Sequence, residues 1–353
     1  MPIYEYVCTD CGKKFDLLRS YSKADEPAEC KNCHSFNSKR ALSLFNAKSE
    51  GRSITSSGCD SCNGGSCGSC HHLEITVNHF ENKNVLITGG SSGIGFALAK
   101  LFLQNDARVW IIARDENKLK NAVKELSQIN SFCKYFVADV SNIDAVNKMF
   151  NNLQGETDKI DFLINCAGVA YPGEFERMEL EKFHWLMDIN FFGTVNVIKT
   201  CLPLLRSGAH IINVSSMAGL LGVYGYTAYG ASKYAVRGFS DALRSELKLK
   251  NINVSIVYPP DTDTPQLEFE NQFKPAITKE IAGSANPMSV SSVAQEIFNG
   301  ILKKNYIIIP GFENKLLYFA SNFLGKWVYP IMDLTISNVV KKLNQKKKSS
   351  DLS

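Results

Sequence analysis

From Lys83 onward the chain alternates short apolar runs with stretches of helical spacing, and this alternation restricts the architecture more than any other feature. The runs NVLIT, ARVWIIA, FCKYFVA, KIDFLIN, AHIINVS, INVSIVY and NYIIIP are nearly continuous in apolar residues, as strands buried on both faces are. Between them, residues 93–104, 115–129, 142–152, 180–205, 228–249 and 291–303 carry helical periodicity. Such alternation predicts an α/β fold with a doubly wound parallel sheet. A hydrophobic content of 44% with 21% charged residues is that of a globular chain, and 353 residues leave room for a second unit.

That second unit is N-terminal. Eight of the eleven cysteines fall before residue 71. Cys8-x-x-Cys11 and Cys30-x-x-Cys33 are knuckles separated by eighteen residues, and each can set two thiolates on one side of a tetrahedral zinc. Gly12 suits the tight turn that follows a knuckle. Residues 1–50 are therefore expected to form a zinc ribbon, and 51–82 a Gly/Ser/Cys-rich linker. Within the linker, Cys59, Cys62, Cys67, Cys70, His71 and His72 either hold a second metal or have no fixed structure; Cys67-Gly-Ser-Cys70-His71 also fits a haem-attachment pattern, but covalent haem needs export and the sequence shows no export signal. The opening MPIYEYVCTDCG resembles the FmdB family of small bacterial zinc ribbons over residues 1 to about 72, which implies at most a regulatory role. Paired cysteines, with no basic and then apolar leader in MPIYEYVCTDC, predict a reducing, cytoplasmic setting.

Thr88-Gly89-Gly90-Ser91-Ser92-Gly93-Ile94-Gly95 joins the first strand to the first helix, the context in which a glycine turn binds a dinucleotide. Gly89 permits the turn, Gly93 lets the backbone approach the pyrophosphate, and Gly95 allows close packing, with Ser91, Ser92 and Ile94 completing the loop. The helix N-terminus favours the phosphates. The end of the second strand carries Arg114, with Lys118 one turn later, where an NAD enzyme would place an acid. A guanidinium pairs with a 2′-phosphate, so NADPH is the expected cofactor, unless Arg114 is only a solvated charge. Asp139 and Val140 after the third strand, and Asn165 at the end of the fourth, are expected to meet the cofactor.

Tyr229 and Lys233 share one face of the helix 228–249, with the ammonium beside the phenol. A nearby cation should draw the tyrosine below its usual pKa of ~10. Ser216, thirteen residues upstream, can hold a substrate oxygen, and Asn190 can anchor a water that links Lys233 to solvent. Together these residues resemble the short-chain dehydrogenase/reductase family from Lys83 to about Pro310, and its catalytic tetrad falls on Asn190, Ser216, Tyr229 and Lys233. NCAG at 165–168 stands where NNAG is commoner.

The stretch Tyr258-Pro-Pro-Asp-Thr-Asp-Thr-Pro265, with Glu270-Asn271 and Lys274-Pro275, resembles the 3-ketosphinganine reductase branch of that family. The resemblance implies NADPH-dependent reduction of a long-chain lipid ketone, with Pro259 and Thr264 at the nicotinamide. Another apolar ketone (steroid, retinoid or acyl thioester) remains open, as does a zinc-ribbon regulator that senses NADPH.

Residues 313–353 end the chain with an apolar, aromatic segment and a basic tail. From Lys303 to Lys348 nine lysines face Glu313 and Asp333, a local charge of +7 in a chain of net charge +4. The basic character thus belongs to the tail, which argues against a broad nucleic-acid face. Lys326, Pro330 and Asp333 interrupt the apolar run, so a helix lying on the protein or in a membrane interface is expected instead of a spanning one. The alternatives are a cover for the substrate cleft or a contact in a homo-oligomer.

Overall fold

The structure, a computed structural model, describes residues 3–18, 26–40, 48–49, 52–53, 79–283 and 286–350. The chain divides into two units, residues 1–75 and 76–353. The second cysteine cluster expected in the linker lies outside the described residues.

In the first unit β1 (Ile3–Cys8) pairs antiparallel with β2 (Lys14–Leu18) and β3 (Ser38–Arg40), in the order β2-β1-β3. Tyr6 and Phe15 stand opposite each other, their rings stacked with centroids 5.9 Å apart. Two further short strands, β4 (Lys48–Ser49) and β5 (Arg52–Ser53), pair antiparallel.

The second unit is built on a parallel sheet of seven strands: β6 (Asn84–Thr88), β7 (Arg108–Ala113), β8 (Cys133–Val137), β9 (Ile160–Asn165), β10 (Leu205–Val214), β11 (Asn253–Val257) and β12 (Ile307–Ile308). Their order is β12-β11-β10-β9-β6-β7-β8, so the direction of winding reverses between β6 and β9. All seven coincide with the apolar runs. Successive side chains of β6 enter opposite layers, as the pleat requires. Val85 and Ile87 pack with α1 (Gly93–Gln104), α2 (Glu116–Leu126) and α9 (Val290–Leu302). Leu86 packs with α3 (Ile143–Gln154), α5 (Gly193–Cys201) and α6 (Thr227–Lys248). Both faces of the central strands are covered, so their interiors are apolar on both sides, whereas the edge strand β8 exposes Lys134 and Val137.

Side-chain caps fix several helix starts. Asp115 accepts from the Lys118 amide at α2, Asn142 from Asp144 and Ala145 at α3, and Ser289 from Ser292 at α9. Each such cap stabilises its helix by about 1 kcal/mol.

The single helix expected over 180–205 is instead broken. α4 (Leu180–Met187) runs into a wide, π-helical turn at Asp188–Phe192, then α5, then a tight turn Leu202–Leu204. Pro203 lacks an amide proton and ends the helical run, so β10 starts at Leu205, earlier than the AHIINVS stretch. Two short helices, α7 (Pro265–Phe273) and α8 (Ala276–Ala282), were not legible as helices.

The C-terminal segment forms α10 (Phe312–Leu324) and α11 (Val328–Ser350), separated at Gly325, whose φ of +52° suits glycine at a helix end. Pro330 falls in the first turn of α11, where a missing amide proton costs nothing. No residue of α10 is buried; Phe323 is 92% exposed, and Phe319, Trp327 and Tyr329 also face outward. α11 packs along α8, where Lys342 pairs with Glu280 at 2.5 Å. Among the described residues no helix is long and apolar enough to cross a membrane.

Candidate active site and metal centre

A cavity of about 500 Å³ opens at the carboxyl ends of the strands, at the reversal between β6 and β9. This is where open parallel sheets bind ligands, since neighbouring connections leave in opposite directions there. Gly89, Ser91, Ser92, Gly93, Ile94, Gly95, Arg114, Lys118, Asp139 and Val140 line it at one end. Ser216, Tyr229, Lys233, Pro259 and Thr264 complete its wall.

The glycine turn is held tightly. Gly89 has φ +69°, and a Cβ there would stand 2.9 Å from Ala167 Cα. A Cβ on Gly95 would run into the Gly89 carbonyl oxygen, so Gly95 packs against the turn itself more closely than against the strand. Thr88 anchors the other side, its hydroxyl accepting from the Cys166 and Ala167 amides at 3.1 Å each. Arg114 and Lys118 are exposed, and neither side chain bonds to another described residue. The carboxylate of Asp115 is engaged as the α2 cap, 3.0 Å from the Lys118 amide, so Arg114 and Lys118 dominate the charge at this rim. One oxygen of Asp139 accepts from the amide and hydroxyl of Ser141.

Two expected positions lie off the cavity wall. Asn165 is buried with its amide turned into the core, donating to Asn213 Oδ1 at 2.9 Å, so it supports the floor of the site. The Asn190 side chain is likewise spent within the protein. Its Oδ1 accepts from the Val169 amide at 2.8 Å, and its Nδ2 donates to Val169 O and Ser232 Oγ at 2.9 Å each. Ser232 in turn donates to the Tyr229 carbonyl at 2.7 Å. Asn190 therefore ties the loop after β9 to the first turns of α6. The wide turn at 188–192 makes this reach possible.

Tyr229 and Lys233 are both buried, at 7% and 5% exposure. The lysine ammonium donates to the Val214 carbonyl at 3.1 Å and stands 5.7 Å from the Tyr229 ring centroid. Burial lowers the Lys233 pKa to about 8. Tyr229 is pushed above the usual phenol value, chiefly by burial and next by the charge of Glu270, while hydrogen bonds to Ser216 and Gln266 oppose this. Burial and the Glu270 charge outweigh the expected depression by Lys233, whose ammonium stands over the ring and not at the hydroxyl. Burial thus keeps the tyrosine protonated, the state a proton donor needs. Ser216, half-buried at the end of β10, accepts from the Ala218 amide at 3.2 Å.

The far end of the cavity holds residues that sequence reasoning did not assign: Tyr226, Gln266, Glu270, Lys274 and Thr278. Glu270 and Lys274 were noted only as carriers of a resemblance. Tyr226 lies 44 positions from Glu270, to which it bonds, and no local pattern reports such a pairing.

The metal-binding expectation concerns the first unit. Cys8, Cys11, Cys30 and Cys33 converge, with all four sulfurs within 4.8 Å of one another. The Cys8–Cys33 and Cys11–Cys30 sulfur separations are 3.5 and 3.6 Å. A tetrahedral zinc with Zn–S bonds of about 2.3 Å requires about 3.8 Å between sulfurs, so the four thiols fit one ion. Each knuckle closes alike: Gly12 donates to Cys8 O and His34 to Cys30 O, both 2.9 Å, and both have positive φ. The Asn32 and then the Cys33 amide hold the Cys30 thiol down, to about 6, whereas Cys33, despite the Ser35 amide, is pushed up to about 12 by the Cys11 thiol and burial.

Comparison with known proteins agrees with these features. The family model described as short chain dehydrogenase matches residues 83–275, and one described as zinc ribbon domain matches residues 1–42. A 3-ketodihydrosphingosine reductase of Dictyostelium discoideum is 35% identical over 279 residues, covering 73% of this chain and 84% of the relative. A 3-dehydrosphinganine reductase of Arabidopsis thaliana is 40% identical over 245 residues, covering 68% and 73%. The crystal structure of a short chain dehydrogenase/reductase from Burkholderia phymatum in complex with NAD superposes with a TM-score of 0.59 at 23% identity, over 65% of this chain and 89% of that one. The chain is an oxidoreductase of the nicotinamide-dependent kind, and with its glycine turn, its tyrosine–lysine pair and its seven-stranded sheet it belongs to the short-chain dehydrogenase family.

Proposed function

We propose that this chain reduces 3-ketosphinganine to sphinganine with NADPH. The observation that supports this most is the naming of relatives at 35–40% identity, aligned over 245–279 residues, as reductases of this ketone. Arg114 and Lys118 would hold the 2′-phosphate, and Asp139, Pro259 and Thr264 would flank the remainder of the dinucleotide. When bound, the cofactor supplies a hydride to the carbonyl carbon. The Tyr229 hydroxyl gives its proton to the carbonyl oxygen, which becomes the product hydroxyl, and Ser216 keeps that oxygen within reach. Lys233 supplies positive charge beside the phenolate left behind. Asn190 holds the turn that carries Tyr229. Met217, Val223, Leu267 and Ile281 offer the alkyl chain an apolar wall. With purified protein and 3-ketosphinganine, sphinganine should appear by mass spectrometry in a 1:1 ratio to NADPH consumed; absence of sphinganine overturns the assignment.

The alkyl chain is barely soluble in water, so we extend the proposal to peripheral attachment at a membrane surface through residues 313–348. The exposed aromatic side chains of α10 and the following turn suit an interface, and each lysine close to anionic headgroups contributes about 1 kcal/mol. Truncation is a poor test, because α11 lies on α8, whose Thr278 and Ile281 line the cavity. Replacing exposed Phe323 and Trp327 together by Ser should instead abolish sedimentation with anionic liposomes. Sedimentation equal to wild type refutes the attachment.

A further inference from the structure

Glu270 lines the cavity yet has no part in the reduction as described. It is 7% exposed, and each oxygen takes one neutral donor: Oε2 accepts from the Tyr226 hydroxyl at 3.0 Å and Oε1 from the Gln266 amide at 3.1 Å. The cation near it on the same side, Lys274, is itself 8% exposed and donates to Asp261 at 3.1 Å. This end of the cavity therefore holds two carboxylates against one lysine that is already paired. Isolating a carboxylate in this way is costly, and a structural hydrogen bond to Tyr226 needs no charge. Burial accordingly pushes the Glu270 acid above the usual carboxylate range, with Gln266, Tyr226 and Lys274 opposing and Asp261 reinforcing it.

Position adds to charge. The Tyr226 ring lies 5.7 Å, centroid to centroid, from the ring of Tyr229, so the carboxylate stands one aromatic ring from the proton donor. The proposed substrate places its ammonium on the carbon next to the carbonyl.

We propose that Glu270 is the specificity-determining residue that receives the ammonium of the amino ketone while its carbonyl oxygen lies at Tyr229 and Ser216. This rests on the substrate class proposed above and deepens it. An ammonium there completes the charge balance that Lys274 leaves unmet, whereas a neutral ketone of equal length would leave the carboxylate isolated. The same pairing acts on the chemistry. Glu270 opposes ionisation of Tyr229, and an ammonium beside it removes that opposition when Tyr229 must release its proton. The amine should therefore raise kcat as well as lower KM.

The test compares kcat/KM for 3-ketosphinganine with that for the chain-matched hydroxy ketone lacking the amine, in wild type and in Glu270→Gln. The near-isosteric amide keeps the volume and partners but removes the charge. The preference for the amino ketone should fall by roughly ten- to a hundredfold in the variant. Equal losses on both ketones would show a merely structural role and overturn the proposal, as would an unaltered preference. Should the variant fail to fold, judged by thermal melting and quenching on NADPH addition, wild type decides: a preference of about tenfold or more supports the proposal, and none overturns it. Turnover of the neutral ketone with none of the amino ketone would remove the substrate assignment itself. Turnover of both with no effect of Glu270→Gln removes only the role of Glu270.

Discussion

Tyr229→Phe is expected to slow turnover by about a thousandfold or more while NADPH binding stays near that of wild type. The ring would remain in its cluster with Ala170, Leu186 and Tyr226, so the wall of the cavity keeps its shape. What disappears is the hydroxyl proposed to give a proton to a ketone held by Ser216. Water is a poor substitute in a position only 7% exposed. Single-turnover reduction measured beside a fluorescence titration with NADPH separates chemistry from binding. Substantial turnover in the variant would mean that the proton arrives by another route, and the proposed mechanism would fall.

The second large effect concerns the choice of cofactor. Arg114→Asp should lower NADPH affinity by roughly ten- to a hundredfold, because it removes a charge-assisted partner and adds repulsion. Affinity for NADH should rise in the same variant, since a carboxylate can bond the free ribose hydroxyls. In wild type the neighbouring acid, Asp115, has one carboxylate oxygen engaged as the α2 cap. Lys118 remains one turn away, so the preference should shrink strongly and need not invert fully. The ratio of kcat/KM for the two cofactors reads this directly, and an unmoved ratio would return Arg114 to the role of a solvated strand-end charge.

The sequence made the sheet legible because burial on both faces writes itself into a strand as an apolar run. The glycine turn and the Tyr229–Lys233 pair were equally readable, since each is a local spacing with a physical requirement. Legibility failed where a position depends on distant partners. Asn165 has the sequence context of a cofactor contact, yet Asn213 and Ser240 offer its amide a buried hydrogen-bonded chain. The wide turn at Asn190 was missed because the helical pieces on either side of it, of eight and nine residues, are too short for a shift in phase to stand out. Residues 265–282 show no clean helical pattern because Pro265, Pro275 and Gly283 cut them into pieces of nine and seven residues. With the helices went the substrate end of the cavity, including Glu270.

The wide turn at 188–192 works as a phase shifter. One residue is about 100° of helical rotation, so inserting one lets the two halves of the segment face different directions. Leu186, before the turn, packs with Ala170, Tyr226 and Tyr229 on the substrate side. Val197, Ile198 and Cys201, after it, pack into the layer beneath the sheet. In an unbroken helix, aiming Asn190 at Ser232 would swing one of these sets out of register. The turn uncouples them, so substitutions on α4 can reshape the substrate wall without rotating α5 off the sheet. Pockets for chains of different length can thus diversify above an interior that stays the same, and deletion of a single residue at this turn would set the two faces against each other.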